Sequence, residues 1–103
     1  MYMSDCVAAL VPPSRLVANT RAEFRRSALD HVSQAAARGE ARISVDLAGT
    51  TEIDASGLGI LLFVNTRARE HGLSTHLVNV PQSVRALLEL TKLSHIFAEV
   101  SSS

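Results

Sequence analysis

The sequence places one serine where a side chain could do chemistry. It is Ser56, in the run Ile-Asp-Ala-Ser-Gly-Leu-Gly at 53–59, which follows a strand-like segment at 43–47 and precedes an apolar run at 60–64. A serine between a strand and a helix could be a catalytic nucleophile, part of a phosphate-binding loop, a phosphorylation site or a helix cap. The residues around Ser56 bear on each of these alternatives.

Catalysis by Ser56 is not supported by its neighbours. The hydrolase motif Gly-x-Ser-x-Gly needs a small residue two positions before the serine, because its turn is sharp, and a glycine two positions after it. This chain has Asp54 and Leu58 at those positions. The four histidines are scattered along the chain, and no pattern ties one of them to Ser56 as a general base. We therefore do not expect Ser56 to act as the nucleophile of a serine hydrolase.

The glycines of this run do not predict a nucleotide-binding loop. Gly57 and Gly59 form Gly-x-Gly, but the third glycine of the dinucleotide-binding motif would fall at Leu62, and no P-loop motif occurs in the chain. Cys6 is the one cysteine, and a single thiol forms neither an internal disulfide nor a metal cluster. We therefore expect no cofactor and no bound metal.

Two interpretations of Ser56 remain, a helix cap and a modification site. Serine is a favoured N-cap, and Asp54 would lie well beside the positive end of a helix. From 58 to 64, six of seven residues are apolar, which is more than one stripe of a helix on a sheet can bury. The surplus predicts either an exposed docking surface beside Ser56 or a fully buried helix. A phosphate on Ser56 would have to be desolvated on docking, and so could switch binding off.

Strand-like and helical segments alternate along the chain, which predicts an α/β fold. We expect a small mixed or parallel β-sheet with helices packed mainly on one face, in a single domain over residues 1–103. Thr20 and Glu23 form a capping-box pattern before the first helix, and Gly39 and Gly72 are expected to end the first two helices. The predicted strands are 7–11, 43–47, 75–79 and 96–100, the predicted helices are 21–38, 56–71 and the segment after Pro81, and 101–103 should fray.

Composition argues against two classes of partner. Lys plus Arg and Asp plus Glu number ten each, so the chain lacks the basic excess with which nucleic-acid binders neutralise phosphates. No apolar run approaches the roughly 20 residues of a membrane span, and the N-terminus lacks the pattern of a signal peptide. We expect a soluble cytoplasmic protein that binds no nucleic acid directly and does not insert into a membrane.

The stretch from Asp46 to Gly59 resembles the signature of STAS domains, typified by bacterial anti-sigma factor antagonists. It reads Asp-Leu-Ala-Gly-Thr-Thr-Glu-Ile-Asp-Ala-Ser-Gly-Leu-Gly, and the resemblance extends clearly over 43–100. It implies a sheet with helices on one face and no catalysis. It also implies a partner, an anti-sigma factor that is an ATP-dependent serine kinase and phosphorylates the serine at the start of the central helix, here Ser56. A phosphatase would restore the unphosphorylated form, which captures the kinase.

The resemblance implies a site around Ser56. Gly57 would allow close approach of the partner, and the apolar side chains after it would supply contact. The residues expected to contact the partner are Asp54, Ala55, Ser56, Gly57, Leu58, Gly59, Ile60 and Leu61. Val17 stands where the family often has an acidic residue near the phosphoserine. The alternative function is a non-switching STAS subunit of an ABC-type transport or lipid-trafficking complex, in which Ser56 is only a cap.

Overall fold

A computed structural model describes residues 9–102 of the chain. Strands and helices alternate in it, which confirms the predicted α/β class. The elements are β1 (Arg15–Leu16), α1 (Arg21–Ala37), β2 (Arg42–Asp46), β3 (Glu52–Ile53), α2 (Ala55–Glu70), β4 (Ser74–Val80), α3 (Gln82–Leu90), a 3-10 turn (Ser94–Ile96) and β5 (Glu99–Ser102). No helix within residues 9–102 has the length and apolar character needed to cross a membrane.

The main sheet is parallel, with the strand order β2–β4–β5. Leu10 adds one parallel bridge to Val45 of β2, through backbone hydrogen bonds of 2.8 and 2.9 Å. β1 and β3, of two residues each, pair separately and are also parallel. All strand pairings in the described part of the chain are therefore parallel, as expected where helices form the connections between strands.

One face of the main sheet is buried and the other carries polar side chains. Val45 of β2 and its partner Leu77 of β4 are both fully buried. One residue away in the register, Ser44 pairs with His76 and His76 with Glu99. Successive side chains of a strand point to opposite faces, so this polar row lies on the face away from the core. The predicted packing of helices mainly on one face is confirmed.

α1 and α2 pack against each other as well as against the sheet. The buried residues of α1 recur every three or four positions and form one apolar stripe; they are Phe24, Ala28, Val32 and Ala35. α2 contacts both α1 and β4, and therefore buries more than one stripe. Gly39 and Gly72 follow these two helices with φ of 73° and 77°, the left-handed conformation that favours glycine, as predicted.

Two predictions for the N-terminal third need correction. Thr20 precedes α1 but makes no capping hydrogen bond with its side chain. Its hydroxyl donates to the Arg15 carbonyl at 2.7 Å and accepts from the Val17 N–H at 3.1 Å, so it closes the turn between β1 and α1 instead. Of the strand predicted at 7–11, residues 7 and 8 lie outside the described residues, and Leu10 contributes a single bridge.

The last strand is displaced from its predicted position. The segment 96–100 was expected to be extended, but the 3-10 turn at Ser94–Ile96 comes first and β5 follows it. Phe97 follows the turn with an extended backbone and lies in the core, where it is 4% exposed. Ser101, expected to fray, is part of β5.

A chain of hydrogen bonds on the polar face links β4 to β5. His76 contacts the Ser74 hydroxyl through Nε2 at 3.2 Å and the Glu99 carboxylate through Nδ1 at 3.1 Å. Ser101 donates to the other oxygen of the same carboxylate at 3.0 Å. The hydrogen bond from His76, and then that from Ser101, lower the pKa of Glu99 below its ordinary value of 4.5.

We predict that this network makes the domain less stable in acid. A lowered pKa in the folded state means that the carboxylate contributes stability above pH 4.5, and that this contribution is lost as the pH falls through the folded pKa. The free energy of unfolding, measured by guanidinium denaturation between pH 7 and 3, should fall less steeply for Glu99→Gln than for the wild type. If the free energy of unfolding falls equally with pH in the two proteins, the Glu99 carboxylate does not contribute this acid sensitivity.

Candidate functional site

Ser56 lies in the first turn of α2 and does not cap it. The N-cap is Asp54, whose Oδ1 accepts a hydrogen bond of 2.9 Å from the Gly57 N–H. α2 begins at Ala55, so Ser56 is its second residue and is half-buried. No hydrogen bond of the Ser56 side chain is found within residues 9–102. The interpretation of Ser56 as the cap is therefore wrong, because Asp54 already fills that role.

Gly57 determines how α2 meets β1. A Cβ at this position would overlap the carbonyl oxygen of Leu16 and would lie 2.9 Å from Cγ1 of Ile53. The Asp54 N–H donates to the same Leu16 oxygen at 3.4 Å. Glycine therefore lets the first turn of α2 rest directly on the backbone of β1. The space beside Gly57, which we expected a partner to use, is occupied by β1.

The apolar residues after Ser56 belong mostly to the core. Leu58, Ile60 and Leu61, expected to contact a partner, are 8%, 8% and 1% exposed. α1 packs against α2 and covers side chains that would otherwise be in surplus. Ile60 lines a groove on the surface, whereas Leu58 and Leu61 do not line it.

This groove lies between α1 and α2 and opens beside Ser56. Its volume is about 650 Å³, and it is formed by the first two turns of α1 and the N-terminal half of α2. The lining residues are Arg21, Ala22, Arg25, Ala55, Ser56, Gly59, Ile60 and Phe63. Gly59 is exposed, and a Cβ built on it would meet no atom within 4 Å. Unlike Gly57, Gly59 is therefore not required by the packing of the domain.

Two arginines of α1 and an aromatic ring of α2 line the groove. The guanidinium carbon of Arg25 lies 4.6 Å from the centroid of the Phe63 ring, within the range of a cation–π contact. Arg21 lines the groove one helical turn earlier. No lining residue is acidic. The groove beside Ser56 therefore favours an anionic group over a cationic one.

The histidines do not form a hydrolytic site at Ser56, since none of them lines the groove. The order serine–histidine–carboxylate does occur on the polar face of the sheet, at Ser74, His76 and Glu99. There the Ser74 N–H donates to the Ala41 carbonyl at 3.1 Å, and so cannot stabilise an oxyanion. We assign that array to holding β5 against β4.

The sequence of the whole segment around this groove matches a known family. The family model described as "Mlab, STAS domain" matches residues 14–99. The chain belongs to the STAS domain family. The match begins just before β1, ends in β5, and includes the Ser56 turn and both helices of the groove. The family predicted from the motif at 46–59 is therefore confirmed.

Solved STAS structures share the fold. A Thermotoga maritima protein, described as a candidate anti-sigma factor antagonist, has a crystal structure with a TM-score of 0.75 and 20% identity, over 93% of this chain and 82% of that one. The NMR structure of the same protein has a TM-score of 0.75 and 23% identity, over 98% of this chain and 78% of that one. The structure of an anti-sigma-factor antagonist (STAS) domain protein from Planctomyces limnophilus has a TM-score of 0.75 and 18% identity, over 90% of this chain and 80% of that one. At these identities the likeness establishes the fold. No curated protein matches the chain.

The structure separates the residues expected at the site into two groups. The first group lines the groove and comprises Ala55, Ser56, Gly59 and Ile60. The second group builds the turn or the core and comprises Asp54, Gly57, Leu58 and Leu61. The division follows from the helical period of 3.6 residues, because successive residues of α2 point in directions about 100° apart around its axis.

Sequence reasoning missed the residues that α1 contributes to the groove. Arg21 and Arg25 were not expected near Ser56, and Phe63 was expected only as part of an apolar surplus. The four-residue spacing of the two arginines predicts that they share one face of a helix. That spacing contains no information about which element faces them, so the groove could not be found from it.

The two glycines flanking Leu58 should respond oppositely to alanine. Gly57→Ala should destabilise the domain by roughly 3 kcal/mol, because the new Cβ would overlap the backbone of β1. Gly59→Ala should stabilise it by about 0.5–1 kcal/mol, because alanine is the better helix former and the position is open. Chemical denaturation of both variants measures the difference. An equal effect of the two substitutions would show that Gly57 does not hold the α2–β1 contact.

Proposed function

We propose that this protein is an anti-sigma factor antagonist switched by phosphorylation of Ser56. The unphosphorylated form binds an ATP-dependent serine kinase, which acts as the anti-sigma factor, and thereby frees the sigma factor. The kinase transfers the γ-phosphoryl group of ATP to Oγ of Ser56, ADP leaves, and the hydroxyl proton passes to a base on the kinase. The phosphorylated form releases the kinase. A phosphatase then hydrolyses the phosphoserine and restores the unphosphorylated form.

The observation that carries this proposal is the available hydroxyl of Ser56. It is half-buried at the edge of the groove and has no hydrogen-bond partner within residues 9–102, because Asp54 caps α2. A serine kept only for helix capping would bond to the backbone of its own helix. Ser56 is instead free to accept a phosphoryl group without loss of the cap.

The surroundings of Ser56 explain how the modification would end binding. A phosphoryl group adds about −1.5 to −2 charges at neutral pH. A partner that docks over the groove would have to desolvate that charge beside the apolar side chains of Ile60 and Phe63. The fold itself would be unaffected, since the Ser56 side chain is not in the core.

The comparisons support the proposal at the level of the family. The Thermotoga and Planctomyces proteins with this fold are both described as anti-sigma factor antagonists, the former as a candidate. The motif that carries the family resemblance includes Ser56, at the junction of β3 and α2. Asp54 and the exposed Gly59 lie on either side of that serine, where a kinase active site would have to approach.

Substitutions of Ser56 test the switch. Ser56→Asp should weaken binding to the kinase by about tenfold or more, equivalent to roughly 1.4 kcal/mol, because it places a permanent charge where the partner docks. Ser56→Ala should bind like the wild type but should not be released when ATP is added. Binding can be measured by surface plasmon resonance with the kinase captured from a lysate of the source organism.

Ser83 offers a matched control for the added charge. It is an exposed serine and the second residue of α3, as Ser56 is of α2. Ser83→Asp should therefore change the net charge and a helix N-terminus in the same way and leave kinase binding unchanged. Equal affinity of the wild type and Ser56→Asp for the kinase would refute the switch, and so would equal weakening by Ser83→Asp.

Val17 supports a second candidate function, that of a non-switching STAS subunit of an ABC-type transport or lipid-trafficking complex. Val17 is half-buried and uncharged, and it stands where the family often has an acidic residue. It follows Leu16, whose backbone contacts Gly57, and therefore lies near the start of α2. In this function the groove would hold its partner permanently. Affinity capture with the wild-type protein as bait distinguishes the two functions. Recovery of a soluble ATP-binding kinase would support the switching function, and recovery of a membrane ATPase would support the non-switching one.

A further inference from the structure

Arg21 and Arg25 bring uncompensated positive charge to the groove of Ser56. They lie four residues apart on α1 and therefore share one of its faces. Neither is paired with a carboxylate in the described part of the chain, whereas several other arginines are; those in ion pairs are Arg15, Arg38, Arg67 and Arg85. The two guanidinium groups thus have no anionic partner within residues 9–102.

Among the described residues, the contact that holds the Arg25 guanidinium is a weak one. Its guanidinium lies 4.6 Å from the centroid of the Phe63 ring. Arg67 approaches the same ring at 5.7 Å, but its guanidinium is bonded to the Glu70 carboxylate at 2.9 Å. A charge-assisted hydrogen bond to a phosphate is stronger than an exposed cation–π contact. Arg25 can therefore exchange the ring for an anion, while Arg67 stays in place.

We propose that Arg21 and Arg25 bind the phosphoryl group of phosphorylated Ser56 within the same molecule, and that Arg25 leaves the Phe63 ring to do so. This inference rests on the phosphorylation of Ser56 proposed above. All three side chains line one groove, and the lining includes no carboxylate that would compete for the arginines. Guanidinium groups present paired N–H donors that match the oxygens of a phosphate.

The charges near Ser56 balance in the phosphorylated state. The two arginines carry +2, and a phosphoserine carries about −1.5 to −2. Asp54 is the acidic group nearest in the chain, and its Oδ1 accepts from the Gly57 N–H on the side of α2 that meets β1. Capture of the phosphoryl group would therefore convert a positively charged groove into a nearly neutral one. It would also remove the Arg25 guanidinium from the Phe63 ring, so the partner would meet a surface changed in both charge and shape.

Titration of the phosphoserine tests the capture directly. Phosphoserine can be incorporated at position 56 during translation, and its second pKa followed by phosphorus NMR, with no kinase in the sample. In the otherwise wild-type protein we expect this pKa to lie below the value of about 6 found for an unpaired phosphoserine. In the double variant Arg21→Gln/Arg25→Gln it should rise by roughly half a unit or more, because two opposite charges are removed.

Arg26 provides the control for net charge. It is an exposed arginine of α1 that does not line the groove. Arg26→Gln removes one positive charge, and it should move the phosphoserine pKa much less than Arg21→Gln or Arg25→Gln does as a single substitution. Equal values in the wild type and the double variant would overturn the proposal, as would an equal shift caused by Arg26→Gln. Thermal unfolding of the variants verifies that each one is folded.

Failure of the capture can be distinguished from failure of the switch. If the phosphorylated and unphosphorylated proteins bind the kinase equally, the proposed function fails, whatever the titration gives. If the phosphoserine pKa is insensitive to both arginines while phosphorylation still weakens kinase binding, the switch stands and the intramolecular capture is refuted.

Discussion

The close contact between Gly57 and the Leu16 carbonyl is the constraint on which the rest of the site depends. No side chain fits between the first turn of α2 and the backbone of β1. The Asp54 N–H donates to the same Leu16 oxygen, and its carboxylate accepts from the Gly57 N–H. These contacts fix where α2 begins. Ser56 takes its position from them: β1 occupies the side of the helix where Gly57 lies, and Ser56 lines the groove facing α1.

α1 forms the opposite wall of the groove in which this half-buried serine lies. By packing on α2 it buries most of the apolar surplus that follows Ser56, and it leaves a groove instead of a flat apolar patch. The groove contains a hydroxyl, an aromatic ring and two arginines, but no histidine or carboxylate. Within residues 9–102, none of the side chains that line the groove could act as a general base toward the hydroxyl. The chemistry of a switch would thus be supplied by the partner.

Local sequence patterns were sufficient for elements whose own residues carry a period. The alternation in β2, the apolar stripe of α1 and the glycines after α1 and α2 all predicted what the structure contains. The same patterns failed for β1 and β3, which were not predicted, and for β5, which was misplaced. Strands of two residues are too short to show a period, and they exist only through pairing with distant segments.

The sequence by itself determined the family and the position of Ser56 at a strand-to-helix junction, because the motif that carries both is contiguous. The sequence did not show which residue caps α2, because capping depends on the geometry of the turn. The structure shows that the cap is Asp54. Only the tertiary structure, too, separated the buried Leu58 and Leu61 from the groove and brought Arg25 toward Ser56. The reason is physical: α1 is distant from α2 in the chain, and their packing depends on long-range contacts that no local pattern encodes.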